Sequence, residues 1–290
     1  MLVSRFEKLF LALNTAFLCL ISATMLLPII HLLALSLSSG NAIVLGEVYF
    51  WPREINAYAY EYIASQGRIW RALGVSIYIT AMGTAISLFL TVTLSFSLSR
   101  AYMPFRGLIL RLILLTFIFS IPLIPYFLVV RNVGMVNTLW SLMVPSALGA
   151  YYVFIMKTFF QRLPGELFDA GQIDGCSEYG LLWRITVPMS YPVIATIGLF
   201  QAVYLWNSYF NAVIFIRDSK LYPIQMLVRE LVIRDNLVGN LDSYQTVSES
   251  VVPEQLKAGI TLFATLPIVL VYPFLQKYFE RGAMLGSLKE

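Results

Sequence analysis

A chain of 290 residues that is 59% hydrophobic and 12% charged, with a mean hydropathy of +0.76, is far more apolar than a soluble domain, in which roughly a quarter of residues are charged. That excludes an ordinary water-soluble enzyme. A net charge of +4, from 20 basic and 16 acidic residues spread over the connecting segments, is too even for a nucleic-acid-binding patch, so no nucleic-acid partner is expected.

Six stretches contain no Asp, Glu, Lys or Arg: Leu9 to Gly46, Ala72 to Ser99, Leu112 to Val130, Asn132 to Met156, Ile185 to Ile216 and Ala258 to Gln276. Each can cross a hydrocarbon core that takes about 20 helical residues. Segments of about ten residues with alternating polarity, the mark of a membrane β-barrel, are lacking. The expected fold is an all-α membrane protein with six transmembrane helices, a single transmembrane domain over residues 1–290. Backbone groups in lipid must pair internally, so prolines such as Pro28, Pro122, Pro125 and Pro145 are expected to kink the helices rather than end them. The first stretch follows Arg5 and Lys8 and is too long for a cleaved signal, which makes it an anchor. Cys19 in that stretch and Cys176 in a distant loop read as two unpaired thiols.

With the amino terminus inside, eleven Lys and Arg residues fall on the inner side and nine on the outer. This narrow margin favours both termini in the cytoplasm. The spans hold no ionisable side chain apart from His31, which reads as a satisfied or interfacial polar group in preference to a proton relay. An ion-coupled secondary transporter normally keeps such a group, so that alternative loses its main support. A membrane scaffold subunit is the other alternative. No catalytic or metal site is expected, and the chain has no G-x-x-x-x-G-K-[ST] loop, so any ATP and Mg must be bound by another subunit.

The inner segment from Lys157 to Tyr191 has the densest mixture of charges. Pro164 can open a first helix with Glu166 in its opening turn, Gly175 breaks it, Ser177 can cap a second helix, and Pro188 marks the far end or a bend. Leu167, Ala170, Gly171 and Asp174 share one stripe of the first helix. Ala170 and Gly171 leave room for a groove wall, with Glu166 and Asp169 at the rim. Tyr179, Leu182, Trp183 and Thr186 would hold the second helix to the membrane domain. Spacing alone fits an interfacial amphipathic pair and a docking helix equally well.

The run ELFDAGQIDGCSEYGLLWRITVP from Glu166 resembles the EAA loop of binding-protein-dependent ABC importer permeases, with Asp169, Gly171 and Cys176 as conservative departures. NVGMVNTLW at Asn132–Trp140 and WNSYFNAVIF at Trp206–Phe215 are similar to carbohydrate permeases of the maltose type, and LYPIQ at Leu221–Gln225 resembles their oligosaccharide and polysaccharide branch. Within that branch the cargo stays open, alginate or a similar uronic-acid polymer being one reading. The resemblance implies a type I ABC importer permease fold in a bacterial inner membrane. It also implies a second, different permease as heterodimer partner, two cytoplasmic ATPase subunits that bind ATP and Mg, and an extracytoplasmic solute-binding protein. The loop at residues 157–191 would then be cytoplasmic. Its coupling helix would carry Glu166, Leu167, Asp169, Ala170, Gly171, Asp174 and Gly175 into an ATPase cleft. The tail Gly286–Glu290 resembles one that reaches the ATPases, a frayed end being the alternative.

Tyr204, Asn207, Ser208 and Asn211 in the fifth stretch lie at i, i+3, i+4 and i+7. Amides, hydroxyls and rings suit a sugar, so Tyr204, Asn207 and Asn211 are candidates for the substrate pathway, although interhelical packing explains the same residues. The outer segment from Arg217 to Lys257 either meets the binding protein or is simply solvated. Tyr49, Trp51, Tyr58, Tyr60 and Tyr62 read as an interfacial aromatic belt, with membrane lipid as their partner.

Overall fold

The computed structural model describes residues 5–234 and 252–287, with side chains over 6–231 and 252–273. The structure is helical, and no strand occurs among the described residues. Helices run as α1 (Arg5–Ser36), α2 (Tyr58–Ser65), α3 (Gly67–Ser99), α4 (Arg106–Ile118), α5 (Leu123–Asn132), α6 (Trp140–Met143), α7 (Ala150–Gln161), α8 (Gly165–Ile173), α9 (Glu178–Met189), α10 (Tyr191–Trp206), α11 (Tyr209–Phe215), α12 (Ile224–Arg234) and α13 (Pro253–Ser287). Within the described residues three helices, Phe6–Ser36, Gly67–Ser99 and Pro253–Pro273, are individually long and apolar enough to cross a membrane. The pair α9 and α10, bent by 82°, counts as a fourth if the two are one span.

Proline behaves in two ways. Pro28 lies inside α1, and Pro267 and Pro273 lie inside α13, as expected of membrane helices. The third and fourth apolar stretches correct that expectation. Phe119 is extended and Pro122 leads into α5, so the chain is non-helical between Ile118 and Leu123. The α6 helix stops before Pro145, and α7 begins only at Ala150. A proline ring clashes with the preceding turn and pushes its neighbour toward extended backbone. At both places the apolar stretch is divided into two helices.

The chain divides into two compact units, residues 1–70 with 228–266 and residues 71–227 with 267–290. In the first, most of α1 is exposed apolar surface, while its end is tied down: His31 Nδ1 donates to the Tyr49 carbonyl at 2.6 Å, and the Ser36 hydroxyl bonds Tyr60 at 2.9 Å. The α2 helix packs on Gly259, where a Cβ would lie 3.2 Å from that of Ala59. Tyr49 and Trp51 stand exposed, whereas Tyr60 is held by Ser36.

Among its described residues the second unit shows two cores. One gathers Ile79, Leu142, Met143, Leu205, Ala212 and Ile216. The other gathers Val92, Phe96, Met156, Phe160, Phe168, Leu181, Leu182 and Ile197. Both are built around the crossing of α3 and α10. At Gly83 a Cβ would come within 2.6 Å of Leu205, and at Gly198 within 3.1 Å of Leu88. Small residues at these points let the helices approach closely where hydrophobic burial gives little drive within lipid.

Candidate functional site: the two-helix loop

The loop begins as its local signals require. Pro164 leads into α8, Glu166 stands in the first turn, Asp174 caps the end, and Gly175 adopts φ +78°, a left-handed backbone that glycine takes without cost. The Cys176 N–H then donates to the Gly171 carbonyl at 2.9 Å, closing the helix end. The Ser177 hydroxyl accepts from the Gly180 N–H at 3.3 Å and starts α9.

Packing divides the expected stripe. Gly171 is buried against this chain's own second helix, where a Cβ would lie 2.6 Å from Leu181 Cδ2 and 2.9 Å from Ile185 Cδ1. The room at Gly171 is therefore already filled by this chain. Phe168 shares that inward face. Glu166, Leu167, Asp169, Ala170 and Asp174 face outward, as does Gly175. They are joined by Ile173, which is 86% exposed and was not singled out from the sequence; its place three residues after Ala170 is the signal that could have found it.

The second helix also departs from simple periodicity. Leu181–Thr186 forms a π-helical turn, and the Thr186 hydroxyl donates to the Leu181 carbonyl five residues back at 3.0 Å. The wider turn moves Leu181, Leu182 and Thr186 inward. Tyr179 and Trp183, expected on the holding face, are instead 78% and 45% exposed, with Trp183 stacked on Phe89 at 6.3 Å.

A cation joins this loop to the end of α3. The Arg100 guanidinium lies 3.7 Å from the Phe168 ring centroid and 4.5 Å from that of Phe96. Its buried Nε and Nη2 have no hydrogen-bond acceptor among the described residues, so the two rings are its main partners. Beside it the Tyr102 hydroxyl donates to Glu178 Oε1 at 2.6 Å. Burial, followed by the bond to Glu178 and its charge, raises the Tyr102 pKa above its usual 10.0. Burial and the charge of Arg106 lower that of Lys157. The loop is thus a rigid two-helix wedge, fixed to α3 on one face and presenting a small apolar strip with an acidic rim on the other.

The pathway candidates do not share one helical face. The helix ends at Trp206 and restarts at Tyr209, with no glycine or proline at the break. Asn207 turns back to donate from Nδ2 to the Val203 carbonyl at 2.8 Å, and buried Ser208 donates to the Leu205 carbonyl at 2.7 Å. Tyr204 lines a mainly apolar cavity of 1010 Å³ with Tyr151, Trp206 and Tyr272, whereas Asn207 and Asn211 lie outside that lining. The two other motifs do meet. Asn137, at φ +60°, donates its N–H to the Phe215 carbonyl at 2.8 Å, and its Oδ1 accepts from the Arg217 and Asp218 N–H groups, each at 2.9 Å.

Residues 83–284 match the family described as binding-protein-dependent transport system inner membrane component. The chain belongs to that family and is an inner-membrane permease subunit of a transport system. It is 40% identical over 277 residues to Protein LplC of Bacillus subtilis, covering 95% of this chain and 93% of that protein. It is 39% identical over 284 residues to the polygalacturonan/rhamnogalacturonan transport system permease protein YtcP of the same organism, covering 98% and 99%. Its fold superposes with a TM-score of 0.89 and 27% identity on a chain of the crystal structure of a bacterial ABC transporter involved in the import of the acidic polysaccharide alginate, covering 96% and 99%.

Proposed function

We propose that this permease carries oligosaccharides or polysaccharide fragments, with uronic-acid polymers as the favoured class, in an ATP-driven importer. It pairs with a second, homologous permease, couples through residues 157–191 to two cytoplasmic ATPase subunits that bind ATP and Mg, and receives sugar from an extracytoplasmic binding protein. Both termini are cytoplasmic, and residues 1–290 form a single transmembrane permease domain.

The observation that carries this reading is the seat of α8. Phe168 and Gly171 fix its inner face to Arg100, Leu181 and Ile185, while Leu167, Ala170 and Ile173 stand free between the acids Glu166, Asp169 and Asp174. A helix held rigidly from behind can transmit displacement from a cleft in front. ATP binding that closes the ATPase pair would carry α8 with it, and α3 would follow through Arg100. The energy transmitted must appear as a coupling free energy between nucleotide and sugar sites. The relatives' cargoes, polygalacturonan and alginate, support the sugar class.

The test is reconstitution in vesicles with partner permease, ATPases and binding protein. Uronate-loaded binding protein should accelerate ATP hydrolysis and drive uptake. Solute accumulation by this chain alone would overturn the proposal.

A further inference from the structure

At its outer end α3 presents Arg71, Gly74, Val75 and Tyr78 at i, i+3, i+4 and i+7, a single face. That face lines a cleft of 780 Å³ together with the segment Asn137–Trp140 and with Leu221. The size falls within the roughly 300–1,000 Å³ of small-ligand sites. The lining is braced. Asn137 is locked to residues 215–218 as described, and the Ile224 N–H donates to the Ser76 hydroxyl at 2.8 Å, fixing the segment that carries Leu221 to α3.

Three features of this cleft are not explained by packing. Arg71 has no ion pair or hydrogen bond among the described residues, whereas Arg68 is paired with Glu230 at 2.7 Å. Trp140 and Tyr78 are 48% and 44% exposed. Gly74 has nothing within 4 Å of where a Cβ would stand, in contrast to Gly83 on the same helix, which admits Leu205. The lining of the cleft therefore combines a bare stretch of backbone at Gly74, two half-exposed rings and one unpaired guanidinium.

We infer that this outer cleft is a receiving subsite for a single uronate residue of the incoming chain: Arg71 holds the carboxylate, and the sugar ring lies over Gly74 between Tyr78 and Trp140. A guanidinium matches a carboxylate with two parallel N–H donors, and sugar faces lie well on aromatic rings. A neutral sugar could use the rings but not Arg71, so this subsite favours acidic cargo at the point of entry. The inference rests on the proposed uronate cargo but names a site which that proposal does not need.

The test is a cycle on the purified permease–ATPase complex without binding protein, reading the Kd of a uronate trimer and of its methyl-esterified form by saturation-transfer NMR. Arg71→Gln should weaken uronate binding about tenfold, the low end for a charged hydrogen bond because the site is open to water. Esterification should cost the wild type a similar factor and cost Arg71→Gln almost nothing, and Gly74→Leu, which projects into open space, should weaken both ligands. Additive effects of mutation and esterification, or no effect of either variant, would overturn the subsite. So would a dependence of the Arg71→Gln effect on anionic lipid instead of ligand charge. A wild-type importer that ignores uronate chains would refute the cargo and this site together. One that imports them while Arg71→Gln binds normally would refute the site alone.

Discussion

Consider enlarging Gly171 by one methyl group. In the structure that methyl would lie 2.6 Å from Leu181 Cδ2 and 2.9 Å from Ile185 Cδ1. Carbon atoms settle about 3.5–4.0 Å apart, so α8 must move out by about 1 Å or two side chains must move back. Leu181 is fully buried in the core with Met156 and Phe160, which leaves it little freedom to retreat. Overpacking of this kind costs about 1–3 kcal/mol, shifting the balance between seated and displaced α8 by a factor of about 5 to 150. Cys176, half-buried beside the same core, reports that opening. With Cys19 replaced by serine, Gly171→Ala should raise the rate of maleimide labelling at Cys176 by at least fivefold. Ala170→Leu, on the outward face, should leave labelling unchanged while lowering substrate-stimulated ATP hydrolysis in the assembled transporter. Unchanged labelling and normal hydrolysis in Gly171→Ala would refute the inward seat of this glycine.

Further outcomes follow from the same contacts. Arg100→Met gives up cation–π attraction of about 0.5–2 kcal/mol but also relieves two buried N–H groups that lack acceptors, so Tm should change little while ATP hydrolysis continues with less transport per ATP; a large fall in Tm with normal coupling would contradict this. Asn137→Gly should lower Tm by losing two accepted hydrogen bonds at about 0.5–1.5 kcal/mol each, and Asn137→Ala should lower it further because alanine resists φ +60°; the reverse order in thermal unfolding would be inconsistent with the clamp. The Tyr102 pKa is raised on folding, so its contribution is fully present below about pH 10 and is lost as pH rises through the folded value. Tyr102→Phe should remove that alkaline loss, as read from Tm against pH; an identical profile in the variant would count against the raised Tyr102 pKa.

The parts legible in the sequence were those fixed by local chemistry. Pro164, Glu166, Gly175 and Ser177 act within one turn of their own position, and the structure places them in the expected roles. The inward turn of Gly171 was hidden because a small residue fits equally well under a partner's groove wall or under Leu181. The π-helical turn at Leu181–Thr186 shifts the helix phase without any residue that announces it, which is why Tyr179 and Trp183 emerge on the exposed side. Arg100 meets Phe168 across 68 positions of sequence, beyond the reach of periodicity. The break at Asn207–Ser208 lacks glycine and proline, so a continuous stripe was the natural expectation there. Conversely, Pro122 and Pro145 mark breaks that a lipid-spanning reading discounted. Expected contacts of the 217–257 segment fall partly, over 235–251, outside the described residues, as does the end of the tail, 288–290.

The central claim is that the outward face of α8 sits in an ATPase cleft and moves with it. Cysteine placed at Ala170, in a chain with Cys19 and Cys176 replaced by serine, should form a disulfide with a cysteine scanned through the cleft of the co-assembled ATPase. The cross-link should stop uptake until a thiol reductant restores it. Absence of any such cross-link, together with labelling of Ala170→Cys by an impermeant reagent added outside intact cells, would contradict the account.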